Sequence, residues 1–296
     1  MMLGSHLSIA GGMVNALTEA ESLGLDTVQV FTKNQRQWKT KPLDPVARDT
    51  WLGKLADLGW QDRTVAHDSY LINLASPKDD LYEKSAAMMR EELDRTCALS
   101  IRYLVSHPGA HTGSGVEAGI ARIAAAHKTL LADTAGSDVV LCLENTAGGG
   151  STIGRTFEEL ATLRELITTG PGAAPPERVG FCIDTCHALA AGYDLHNEPR
   201  AVLDELDRVC GLENVRVLHL NDSKGALGSH VDRHEHIGAG AVGLRGFEEV
   251  VNRPGLAGVP MIMETPKGVS EDGRPFDLIN AEALRGLVRS KSQRCG

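Results

Sequence analysis

The chain is short of basic charge: 30 Lys+Arg against 39 Asp+Glu give a formal charge of −9 over 296 residues. Nucleic-acid proteins usually carry a basic footprint. The total therefore excludes a uniformly basic DNA coat, a histone-like arm and a polybasic membrane anchor. It leaves room for a local basic loop, or for a site whose acids are covered by metal ions. Long apolar runs are missing too, and none approaches the ~18 residues that span a bilayer. The opening MMLGSHLSIAGG has neither the basic leader nor the hydrophobic stretch of a secretory signal. A cytoplasmic location is expected. Six cysteines, at 97, 142, 182, 186, 210 and 295, show no CxxC spacing. Cys142 and Cys182 fall inside apolar runs and read as reduced core residues. No phosphate-binding GxGxxG follows an early strand; the superficial match within 236–243 reads as a loop that opens no helix.

What is present is an ordinary globular composition, 42% hydrophobic with Gly 32 and Pro 12, long enough to bury a core without disulfide support. Short apolar runs alternate with helix-like stretches. The strand candidates are Leu3–Ile9, Thr27–Phe31, Thr64–His67, Tyr103–His107, Val139–Glu144, Val179–Asp184, Val215–Leu220 and Met261–Glu264. Most are continuously apolar, as in parallel strands buried on both faces. Amphipathic segments lie between them: 12–23, 47–58, 82–99, 115–135, 157–168 and 201–209. Thr156 followed by Glu159 is a helix start signal. Eight strand–helix units predict an α/β protein, a single (β/α)8 TIM barrel over residues 1–296, more than an open doubly wound sheet. The stretch 170–176 precedes a strand and belongs at the barrel's N-terminal end.

The strand ends carry the chemistry. His67, His107, Glu144 and Asp184 end the third to sixth strands, His219 stands one residue before the end of the seventh, and Glu264 ends the eighth. In a barrel these ends form the C-terminal face, where catalytic residues sit. One histidine at a strand end is usually structural; six successive His or carboxylate ends point to metal. His187, Asp232 and His234 follow on loops after these strands. Five imidazoles and four carboxylates exceed the needs of one ion. They suit two or three, Zn²⁺ best, with Mn²⁺ and Fe²⁺ compatible. No cysteine is among them, which excludes a structural zinc ribbon. Paired ions clamp the oxygens of a phosphoryl group and acidify bound water, so the expected reaction is metal-assisted phosphodiester hydrolysis.

The segments FTKNQRQW (31–38), HDSYLINL (67–74), HPG (107–109), LENTAG (143–148), IDTCH (183–187), HLNDSK (219–224) and DRH (232–234) resemble the endonuclease IV family of abasic-site repair nucleases. The resemblance runs from Gly4 to Glu264. It implies a three-zinc TIM barrel that cleaves duplex DNA 5′ to an abasic site, leaving a 3′-hydroxyl and a 5′-deoxyribose phosphate. By the same resemblance His67, His107 and Glu144 hold one ion. Glu144, Asp184, His219 and Glu264 hold a second, with Glu144 bridging and acting on the attacking water, and His187, Asp232 and His234 hold the third. Arg36, Tyr70 and Leu71 would enter the minor groove, an apolar wedge being a known way to kink DNA.

The acid-free run from Thr27 to Leu43 carries Lys33, Arg36, Lys39 and Lys41. It falls after the second strand, so Lys33 and Gln35 are expected beside Arg36 on the DNA. A second basic run, Arg285, Arg289, Lys291 and Arg294, reads as a solvated end. The expected partner is abasic duplex DNA, with no membrane, no obligate protein partner and a monomeric state. Two other readings remain. A metal-dependent sugar isomerase or epimerase would have no use for Asp232, His234 or the basic loop. A catalytically silent damaged-DNA binder would be expected to have lost a bridging ligand.

Overall fold

The computed structural model describes residues 1–289. Its strands are β1 (Met2–His6), β2 (Thr27–Phe31), β3 (Val65–His67), β4 (Tyr103–Ser106), β5 (Val140–Glu144), β6 (Val179–Asp184), β7 (Val215–His219), β8 (Asp222–Ser223), β9 (His234–Glu235) and β10 (Pro260–Met263). The helices are α1 (Val14–Ser22), α2 (Pro45–Leu58), α3 (Asp79–Ala98), α4 (Val116–Asp133), α5 (Phe157–Thr168), α6 (Thr185–Ala191), α7 (Pro199–Cys210), α8 (Gly243–Asn252) and α9 (Phe276–Gly286). Runs such as VLCLE and VGFCID cannot leave either face in water, and β5 and β6 are buried at every residue. Eight strands pair in parallel and close in the order β1–β10–β7–β6–β5–β4–β3–β2. The TIM barrel expected from the sequence is the observed fold.

Two apolar layers hold it. Val65, Val105, Val140, Cys142, Cys182, Val217 and Ile262 fill the inside of the barrel. A larger cluster, including Trp51, Phe157, Phe181 and Phe247, packs between strands and helices. Cys142 and Cys182 are buried and unpaired; Cys295 lies outside the described residues. Among the described residues no helix is long and apolar enough to cross a membrane.

Local chemistry sets the helix ends. Asp44 accepts the Ala47 N–H at 2.9 Å, Pro45 occupies the first turn, and Gly59, at φ 64°, closes α2. Thr156 accepts from the Glu159 N–H at 3.2 Å, while the Glu159 carboxylate takes the N–H groups of Gly154 and Arg155. Stretch 170–176 connects α5 to β6, at the end of the barrel remote from the C-terminal rim.

One reading needs correction. Segment 236–243 does lead into a helix, because Gly243 begins α8. Its N–H groups are largely taken already, which leaves no cradle of donors for a phosphate. The Asp222 carboxylate takes the Gly238 and Val242 N–H groups at 2.9 and 2.8 Å. Gly240 serves close packing: a Cβ there would stand 2.4 Å from the Ser223 carbonyl oxygen.

Candidate metal centre

Parallel strands all deliver their last residues to one rim, and that rim gathers the nine expected donors. Three groups form, the donor atoms of each lying within 4.8 Å of one another: His67, His107 and Glu144; Glu144, Asp184, His219 and Glu264; and His187, Asp232 and His234. Glu144 is shared. Its Oε2 lies 3.2 Å from His67 Nε2 and 3.0 Å from His107 Nε2, while its Oε1 lies 2.9 Å from His219 Nδ1. Asp184 ends β6 and caps α6 by accepting the His187 N–H at 2.8 Å, which fixes His187 one turn beyond it. The excursion after β7, pinned by the antiparallel β8–β9 pair, carries Asp232 and His234 to the same place.

Each of four histidines is oriented through its other nitrogen. His67 Nδ1 donates to the Asp68 carbonyl (2.9 Å), His187 Nδ1 to the Asn145 carbonyl (2.9 Å) and His234 Nδ1 to the Glu264 carbonyl (3.2 Å). His219 Nε2 donates to Gln29 Oε1 at 2.8 Å. Such partners select the tautomer that aims the free nitrogen at a common point. The carboxylates are braced as well. Gln29 donates to Glu264 Oε1 at 2.7 Å, and Asn221 donates to Asp184 Oδ2 at 2.6 Å. Gln29, Asn145 and Asn221 were not singled out from the sequence. The available signals were a glutamine inside an otherwise apolar strand and asparagines at or just past strand ends. His6, which ends β1, was also missed; its Nδ1 lies 2.9 Å from Gln29 Nε2 and 3.2 Å from Glu264 Oε1.

The electrostatics ask for positive charge. Burial opposes ionisation of Glu144, yet the imidazoles of His219 and His107 hold its carboxyl well below the usual range. Burial likewise opposes charge on His67, but the hydrogen bond and charge of Glu144, joined by the charges of Asp68 and Glu264, together outweigh it and lift the imidazole to about 9. Divalent ions are the stronger way to meet the same demand. The third group tests the fit: His187 Nε2 and His234 Nε2 are buried without a hydrogen-bond partner, although Asp232 Oδ1 lies 3.2 Å from each. Donor atoms that crowd one point without hydrogen-bond geometry suit a shared ion, and the residues fit.

The remaining expected residues divide. Tyr70 is 61% exposed beside the cluster, its ring edge-on to Phe31 at 5.6 Å. Leu71 is half-buried against the core and Arg36 is exposed. Gln35 is half-buried, and its carbonyl accepts from Ser69 Oγ at 2.7 Å. Lys33 corrects the expectation of a surface contact: its side chain is 3% exposed, with Nζ 3.4 Å from both Glu91 and Glu92. A buried ammonium stays with its counter-ions, so the outward charge of this loop is Arg36, Lys39 and Lys41. In the second basic run, Arg285 pairs with Asp26 and Arg289 with Glu248; Lys291 and Arg294 lie outside the described residues. A cleft of about 980 Å³ opens beside the cluster, between His6, Phe31 and Tyr70 on one side and Lys267 and Val269 on the other.

A closed parallel barrel whose C-terminal rim gathers His and carboxylate donors defines a metal-ligating enzyme class. Residues 17–285 match the family described as a xylose isomerase-like TIM barrel. The chain is 48% identical over 288 residues to a probable endonuclease 4 of Chloroflexus aurantiacus, covering 97% of this chain and 98% of that one. The crystal structure of endonuclease IV from Thermus thermophilus superposes with a TM-score of 0.83 at 39% identity, over 97% and 98% of the two chains. A D-tagatose 3-epimerase-like protein superposes at 0.71 with only 16% identity, over 97% of each chain, which shows a shared fold alone. The chain belongs to the endonuclease IV family and is a nuclease.

Proposed function

We propose that this nuclease repairs DNA by hydrolysing the phosphodiester 5′ to abasic sites in a duplex, leaving a 3′-hydroxyl and a 5′-deoxyribose phosphate. The observation that carries the proposal is the convergence of nine donors into three groups around Glu144. Three zinc ions suit this donor set, with manganese or iron compatible at individual positions. His67, His107 and Glu144 would hold the first, Glu144, Asp184, His219 and Glu264 the second, and His187, Asp232 and His234 the third. Bound there, the ions supply Lewis acidity and acidify water at neutral pH.

The chain's own residues do the rest. Glu144 orients the attacking water and accepts its proton. Arg36 meets the backbone, and Tyr70 with Leu71 fills the gap left when the abasic sugar leaves the stack. Extrusion costs least where pairing is already lost, and the cleft beside Glu264 receives the extrahelical sugar. The epimerase alternative gains support only from the shared barrel; a sugar isomerase has no use for the third donor group or the exposed basic loop.

The test uses a 5′-labelled duplex with one abasic site. Zinc-loaded protein is expected to cut once on the 5′ side, leaving an end that a polymerase extends. Chelation should abolish cutting, and Glu144→Gln should lower kcat by ~10³-fold with unchanged circular dichroism. Full activity after both treatments would refute the proposal.

A further inference from the structure

The recognition loop is tied down at both ends by one face of α3. At its start, Thr32 Oγ1 donates to Glu92 Oε2 at 2.8 Å and the Thr32 carbonyl accepts from Arg95 Nη2 at 2.6 Å. Lys33 is held between Glu91 and Glu92. At its far end, Thr40 Oγ1 donates to Glu91, and the Lys41 carbonyl accepts from Arg95 Nη1 at 3.2 Å. Between these ties, Arg36, Gln37, Trp38 and Lys39 stand exposed. In the middle, Ser69 Oγ donates to the Gln35 carbonyl and accepts from the Leu71 N–H at 3.3 Å, so the loop is also joined to the Tyr70–Leu71 turn.

We infer that Glu91, Glu92 and Arg95 are positioning residues for DNA recognition: they hold the loop from Thr32 to Lys41 in the shape that presents Arg36 and Lys39 to the backbone. This rests on the reading of that loop as a DNA contact. None of the three touches the metal donors, and two of the six ties fall on Glu91, whose side chain remains 36% exposed. A loop ordered in advance avoids the entropy of being ordered on binding. The network therefore acts on affinity and leaves the chemistry alone. It also explains a buried lysine under a basic loop: Lys33 is an anchor for its neighbours.

The experiment compares Glu91→Ala, Thr40→Val, Thr40→Ser and Arg36→Ala in the zinc-loaded full chain. KM and kcat are measured on abasic duplex, together with thermal stability, zinc content and trypsin cleavage after Arg36 and Lys39; Lys41 precedes Pro42 and is not a trypsin site. Glu91→Ala and Thr40→Val should raise KM about tenfold with kcat within about twofold, the pattern of lost uniform binding. Their loops should be cut several-fold faster by trypsin, whereas Thr40→Ser, which keeps the hydroxyl, should match the parent. If Arg36→Ala raises KM and the other variants do not, the loop binds DNA without needing the clamp, and this inference alone falls. If Arg36→Ala also leaves KM unchanged, the loop is not a DNA contact and both readings fall. A joint loss of kcat and thermal stability would mark the network as merely structural and overturn the inference as well.

Discussion

Gln29 holds two of the candidate metal donors at once, taking the Nε2–H of His219 and donating to Glu264. Gln29→Leu would leave a buried imidazole N–H without a partner and free the Glu264 carboxylate to turn. Loss of such outer partners typically weakens metal by 10–100-fold. Competition with a chromogenic chelator should show one zinc per chain weakened by about that factor, with the others unaffected. His127 matters at a different place. It is buried in α4, its Nδ1 has no partner, and burial lowers its imidazole from 6.5 to about 4. The unfolded chain takes up a proton as pH falls through 6.5, and the folded chain does not until about 4. Stability is therefore complete above about 7 and is lost between those values. At pH 5 the loss is ~2 kcal/mol. Urea unfolding of metal-free protein should show the difference between pH 7.5 and pH 5 shrinking by about that amount in His127→Leu.

Elements decide what the substrate meets. The turn after β3 places Tyr70 outward and Leu71 half-buried, beside the loop after β2. Tyr70→Ala with Leu71→Ala should weaken binding to abasic duplex by ~10-fold or more while zinc content stays the same; fluorescence anisotropy reads the first and metal analysis the second. Unchanged binding would remove the wedge from the account. Element order was legible because most barrel strands are short apolar runs set between amphipathic stretches. Phe157–Thr168 and Val179–Asp184 were legible to the residue. The convergence of the candidate donors was legible as well, since a parallel barrel sends every strand end to one rim. The hidden parts depend on contacts distant in sequence. Helix α6 has only seven residues and owes its start to the Asp184 side chain. Lys33 looks like surface charge until α3 brings Glu91 and Glu92 beneath it, almost sixty residues further along the chain. Gln29 and Asn221 reveal their roles only through partners on other strands.

At the scale of the whole molecule the acidic total loses its force as an argument against DNA. Four of the 39 acids belong to the donor groups, and three divalent ions outweigh four carboxylates. Positive charge would then gather where a phosphate lies, with Arg36, Lys39 and Lys41 alongside. The rest of the surface stays acidic, so affinity for undamaged duplex should be low and most of the binding should come from the centre and the lesion. All of this depends on the three donor groups being one metal centre. The most direct measurement is the metal content of protein purified without chelator, read by mass spectrometry before and after Asp232→Asn with His234→Asn. The account predicts about three ions per chain in the parent and about two in the variant, because the third group alone is dismantled. One ion per chain in both proteins would contradict it.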